Sequence, residues 1–147
     1  MIASMIAKRD VRSGFAGMSQ DHIDTDALLK KWADDAVWDC TSELGVGQTI
    51  KGKKAAADWF HKWEQEFPKR KLVTKNVCMS GTCLPSPNMV VMVDWTCWET
   101  DKQGKEFQYD GVTVMHIRNM KVVRATEHIS FKGLPQLSTL IKPSGKA

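Results

Sequence analysis

Residues 121–131 read KVVRATEHISF, and the alternation in them decides how the rest of the chain is understood. Successive side chains of a strand point to opposite faces. One face then carries Val123, Ala125, Glu127, Ile129 and Phe131. The other carries Val122, Arg124, Thr126, His128 and Ser130. The first face is apolar with a single carboxylate in its middle. A carboxylate among apolar groups must find partners or hold a proton with a raised pKa. Such placement produces acids and bases that work near neutral pH. The plainer alternative is a strand-edge Glu that reaches water or forms a structural ion pair. A bulge near the preceding turn would exchange Glu127 for His128 on the inner face, so their directions stay open at this point.

Upstream of this strand the same period continues. Residues 72–80, 89–100 and 105–118 read as strands, separated by a two-proline loop and by turn chemistry at residues 101–104. Asn119 and Met120 form a tight turn into residues 122–132. In the second strand Val91, Val93, Trp95 and Cys97 share an apolar face, which sends Asp94 to the other side. In the third, Tyr109, Gly111, Thr113, Met115 and Ile117 share the face that looks toward Glu127. Earlier still the period is helical. Residues 4–19 carry a stripe of Met5, Ile6, Val11, Phe15 and Met18. Thr25 is placed to cap a short helix over residues 26–32, ended by Asp34 and Asp35. Residues 36–40 read as a short strand and residues 41–51 as a loop. Residues 53–67 are the clearest helix, with Ala56, Trp59, Phe60, Trp63 and Phe67 at helical spacing and Pro68 as its stop. Residues 134–141 fit a short helix, and residues 143–147 a loose tail. Helices followed by an antiparallel meander predict an α+β fold, a curved sheet wrapped around N-terminal helices as a cone-shaped barrel. The expectation is one domain over residues 1–147.

Composition narrows the function classes. With 42% hydrophobic and 26% charged residues the chain is ordinary for a globular protein. Six Trp and eight Met suit either an apolar cavity or a plain core. Residues 51–75 hold eight Lys or Arg against three acids, but no basic stripe with interleaved aromatics appears, so nucleic acid is not an expected partner. Cys40, Cys78, Cys83 and Cys97 lack metal-ligand spacing, so no metal site is expected. No apolar run reaches the length of a membrane span or a secretory signal, and the expectation is a cytoplasmic protein with reduced thiols. GQTIKGKK, residues 47–54, falls short of a phosphate loop because Lys54 stands where Ser or Thr is needed.

Three segments resemble the nuclear transport factor 2-like superfamily. They are WADDAVWDC (32–40), IKGKKAAADWF (50–60) and GVTVMHIRNMKVVRATEHISF (111–131), and the likeness is greatest to SnoaL-like and ketosteroid isomerase-like proteins. The resemblance covers roughly residues 10–135 and keeps the order of elements. It implies a cone-shaped α+β barrel, often dimeric through the outer face of its sheet. Members include cyclases, isomerases, dehydratases and inert binding domains, so fold alone does not select an activity. The SnoaL-type acid of the last strand falls at Glu127, where that group usually has Asp. The isomerase Asp after ADDA is matched most closely by Asp39, one residue short. The isomerase Tyr and second Asp fall at Phe15 and Thr113, which argues against steroid isomerisation.

Together these readings give a cofactor-free enzyme acting on a small apolar, carbonyl-bearing ligand. Glu127 is the expected base, Asp39 a second acid–base group, and Thr113 and Tyr109 the donors to a developing oxyanion or to Glu127 itself. Phe15, Trp38, Trp59 and Met115 line the pocket, and Gly111 leaves room for the ligand. The structural alternatives are that Asp39 bonds backbone amides, Tyr109 caps the barrel and Thr113 bonds backbone. The competing function is a binding or dimerisation domain whose cavity is filled by its own Trp and Met side chains.

Overall fold

The computed structural model describes residues 2–42, 47–81 and 88–130. The expected helix at 134–141, the tail, Phe131 and Cys83 lie outside the described residues. Helix α1 spans Ile2–Gly17 and turns Phe15 into the core, and Met18, in the turn just after it, is buried as well. Helix α2, Thr25–Leu29, is capped by Asp24, whose carboxylate accepts from the Ala27 N–H at 3.0 Å. The cap is therefore one residue earlier than expected, and Thr25 is a buried first-turn residue. The helix also ends earlier, because Trp32 already pairs with Val122 and the Lys31 carbonyl accepts from the Val122 N–H. Strand β1, Trp32–Ser42, consequently includes Asp34 and Asp35.

Strand β2, Gly47–Lys51, occupies part of the expected loop. Its side chains carry no strong strand signal; antiparallel pairing from Val37↔Lys51 to Thr41↔Gly47 makes it a strand. A Cβ at Gly47 would sit 2.7 Å from the Cys40 carbonyl oxygen, so this close approach requires glycine. Helix α3, Lys53–Glu66, follows as expected and buries Ala56, Phe60 and Trp63. Strands β3 (Lys69–Gly81), β4 (Asn88–Thr100), β5 (Glu106–Arg118) and β6 (Lys121–Ser130) complete one sheet in the order β2-β1-β6-β5-β4-β3. All neighbours are antiparallel except β1 and β6, and the sheet is open, with β2 and β3 at its edges. The fold is α+β, with the helices on the concave, apolar side. Among the described residues no helix is long and apolar enough to cross a membrane.

The β5–β6 turn places Asn119 and Met120 at φ 48° and 64°, the two left-handed positions of a two-residue hairpin. Just after it the register slips between His116↔Arg124 and Ile117↔Val122, leaving Val123 as the extra residue. The slip corrects the expected phase at one position, since Val122 faces the core at 6% exposure. From Ala125 onward the expected phase holds. Glu127 points inward and the exposed His128 points outward, where it meets Thr41 Oγ1 at 3.0 Å.

Candidate functional site

Glu127 sits opposite Thr113 in the β5–β6 ladder and beside Cys40 in the parallel β1–β6 pair. The Thr113 hydroxyl donates to Glu127 Oε1 at 3.4 Å and in turn accepts from Trp95 Nε1 at 2.9 Å. The Trp38 indole and the Cys40 thiol also bond to this carboxyl. The residue as a whole is half-buried. Burial pushes its pKa up to about 7, and the bonds from Trp38, Thr113 and Cys40 limit the rise by favouring the ionised form. Burial, followed by the neighbouring Glu127 charge, holds the Cys40 thiol well above its ordinary range.

A second inward carboxyl was not anticipated. Glu99 is 2% exposed. Its Oε2 accepts from Trp63 Nε1 at 2.9 Å and from the Tyr109 hydroxyl at 3.0 Å, with the Cys97 thiol at 3.9 Å. Its Oε1 has no hydrogen-bond partner among the described residues. Burial raises this pKa to about 7 as well, opposed by the bonds from Trp63, Tyr109 and Cys97 and by the Arg70 charge. Arg70 lies 5.4 Å from the centre of the Trp63 ring and donates to the carbonyls of Met18, Gln20, Glu64 and Phe67. The signal for Glu99 was present in the sequence. It is the next residue in the series Val91, Val93, Trp95 and Cys97, where alternation alone predicts an inward carboxylate.

The other expected site residues divide. Thr113 lies beside Glu127 and donates to its carboxyl. Tyr109 serves Glu99, and its hydroxyl is held well above its ordinary pKa by burial and then by the Glu99 charge. Asp39 does not join them. Trp38 and Cys40 both face inward, so Asp39 between them faces outward. There it accepts from Thr49 Oγ1 at 2.8 Å and pairs with the Arg124 guanidinium. Gly111 leaves no room for a ligand, because a Cβ there would lie 2.3 Å from the Trp95 ring. Phe15 and Met115 are buried in the shared core. Trp38 and Trp59 lie 4.7 Å apart edge to face, continuing through Phe60 to Trp63. Two surface cavities of about 510 and 430 Å³ open elsewhere, one between α2, β1 and α3 and one at the outer side of β1, β4, β5 and β6. Neither is lined by Glu127 or Glu99. Among the described residues no group of three or more His, Cys, Asp or Glu side chains gathers as a metal would need.

Chemically, two carboxyls that share an apolar interior and titrate near neutrality can each give or take a proton at physiological pH. Comparison with known proteins gives the same family as the element order. The SnoaL-like domain profile matches residues 11–125. A candidate aromatic ring hydroxylase from Novosphingobium aromaticivorans has a similar structure, with a TM-score of 0.73 and 19% identity over 95% of this chain and 98% of that one. An NTF2-like protein from Burkholderia pseudomallei gives 0.68 and 18% over 92% and 97%. A candidate SnoaL-like polyketide cyclase from Jannaschia sp. CCS1 gives 0.68 and 16% over 92% and 91%. At these identities the likeness shows the fold. No curated protein matches the sequence significantly.

Proposed function

Because the chain belongs to the SnoaL-like domain family, we propose that it is a small enzyme of the cyclase, isomerase or dehydratase type. It moves a proton on an apolar, carbonyl-bearing molecule using acid–base groups of the chain alone. Glu127 is the base. One observation carries this reading: its carboxyl points inward, is raised by burial to about 7, and is held by Thr113, Trp38 and Cys40. A general base is most effective when its pKa lies near the working pH. Thr113, itself held by Trp95, fixes the direction of the carboxylate. Burial beside the apolar core that Phe15, Trp59 and Met115 help to build raises its pKa, and the bond from Trp38 opposes that rise. The working form is a cytoplasmic homodimer joined through the outer sheet face, which exposes Val73, Val90, Met92 and Trp98.

The test begins with mass spectrometry of small molecules that copurify with the protein, followed by turnover of the carbonyl compounds found. Glu127→Gln keeps the shape and removes the basicity. Turnover should fall by about 10²–10⁴-fold with the fold intact; unchanged turnover would overturn the role of Glu127.

One observation favours a second reading, a non-catalytic binding or dimerisation domain. Trp95 fills the space beside Gly111, and the Trp38–Trp59–Phe60–Trp63 cluster occupies the region under the sheet. This reading expects no carbonyl ligand to copurify. It also expects a charge on the outer face, as in Met92→Lys, to be the variant that abolishes function.

A further inference from the structure

We propose that residues 131–142 fold back over the outer face of their own sheet and fill the groove there, with leucines on its floor and Lys142 at its acidic rim. This is independent of the role of Glu127. The groove, of about 430 Å³, crosses the sheet along one row of ladder partners: Thr41 on β1, His128 on β6, Val112 on β5 and Asp94 on β4. Asp110 and Ser130, paired in the neighbouring row, close one side. Three strand spacings separate Thr41 from Asp94, about 14 Å. Val112 is half-buried and gives the floor an apolar centre.

Position, length and charge all select this occupant. Ile129 and Ser130, the last described residues, themselves line the groove, so the chain leaves β6 at its edge. Residues 131–133 can reach about 10 Å, enough to turn back over it, and Gly133 supplies the backbone freedom for that turn. In residues 134–141, Leu134, Leu137 and Ile141 share one face at helical spacing, with Leu140 beside them. Eight helical residues are about 12 Å long, the span of the groove. Pro135 suits the first turn of such a helix. Residues 131–147 carry Lys132, Lys142 and Lys146 and no Asp or Glu. At the rim, Asp94 and Asp110 share the single ammonium of Lys75, at 3.9 and 2.7 Å. Two carboxylates against one ammonium leave a negative excess that an arriving lysine complements. Tethering keeps the segment at an effective concentration on the order of millimolar, so modest contacts hold it there. A second copy keeps its own surface, the patch of Val73, Val90, Met92 and Trp98 on β3 and β4.

The test is carbodiimide coupling, which joins a lysine to a carboxylate only where the two touch. Full-length protein is used as an equal mixture of unlabelled and ¹⁵N-labelled chains, and the coupled peptides are identified by mass spectrometry. Lys142 should couple to Asp94 or Asp110 within chains of one label. L137D/L140D keeps the tether and every lysine but removes the apolar contact. Its Lys142 coupling should fall about tenfold or more, and trypsin cleavage after Lys132 should speed up by a similar factor. On the groove side, D94N/D110N removes the rim charges and should speed the same cleavage about threefold; this variant keeps the test decisive if L137D/L140D does not fold. Coupling between chains of different label would make a second copy the occupant and overturn the proposal. So would Lys142 coupling that is unchanged in L137D/L140D, since the tether alone would then bring the lysine to the rim. Cleavage after Lys132 that is as fast in wild type as in both variants would overturn it as well.

Discussion

Replacing Glu99 by Gln removes a group whose ionisation the folded state resists, and the size of that resistance sets a measurable pH dependence. The folded carboxyl is raised from 4.5 to about 7, chiefly by burial. A carboxyl raised on folding contributes stability that is fully present below its unfolded pKa. That contribution is lost as pH rises toward the folded value, because the unfolded chain releases the proton first. The shift corresponds to about 3 kcal/mol. Wild-type stability should therefore fall by roughly this amount, relative to E99Q, between pH 4.5 and 7, and the difference should be flat above pH 7. The assay is urea unfolding followed by tryptophan fluorescence, at half-unit steps from pH 4.5 to 8.5, for both proteins. Taking the difference cancels surface groups such as Asp10 and Asp110, whose pKa values are lowered by hydrogen bonds from Lys31 and Lys75 and whose effect has the opposite sign. Parallel curves for the two proteins would show that Glu99 does not hold its proton in the folded state, and the argument from burial would fail.

Two further outcomes follow from packing and backbone. Gly111→Ala drives a methyl into the Trp95 ring at 2.3 Å, so it should cost about 1–3 kcal/mol in urea unfolding. An unchanged midpoint would mean that Trp95 does not occupy that space. Met120→Gly relieves a non-glycine residue at φ 64° and completes the Asn-Gly pair that such hairpins prefer, so it should stabilise by about 1 kcal/mol. A loss of stability there would argue against the two-residue turn.

Much of the fold was legible because long strands with one buried face announce themselves. The alternation in β4, β5 and β6 gave the inward positions of Val91, Trp95, Thr113, Ala125 and Glu127, and Pro68 and the aromatic spacing gave α3. What was misread lies where a neighbour, not the local sequence, sets the conformation. β2 is a strand because β1 pairs with it. α2 stops early because Lys31 and Trp32 are claimed by β6. The facing of Asp39 follows from its neighbours Trp38 and Cys40, a pattern that was present but outweighed by family spacing.

The candidate site divides along the same line. Sequence by itself determined that a carboxylate at position 127 belongs to an apolar face, since strand geometry has a fixed period of two. The same rule extended two residues past Cys97 would have found Glu99. Only the tertiary structure decided which donors each carboxyl meets, that Tyr109 serves Glu99, and that Trp95 fills the space beside Gly111. Those contacts join residues on different strands and helices, and they depend on register, on the slip at Val123 and on how large rings pack. No period in a single strand encodes these features.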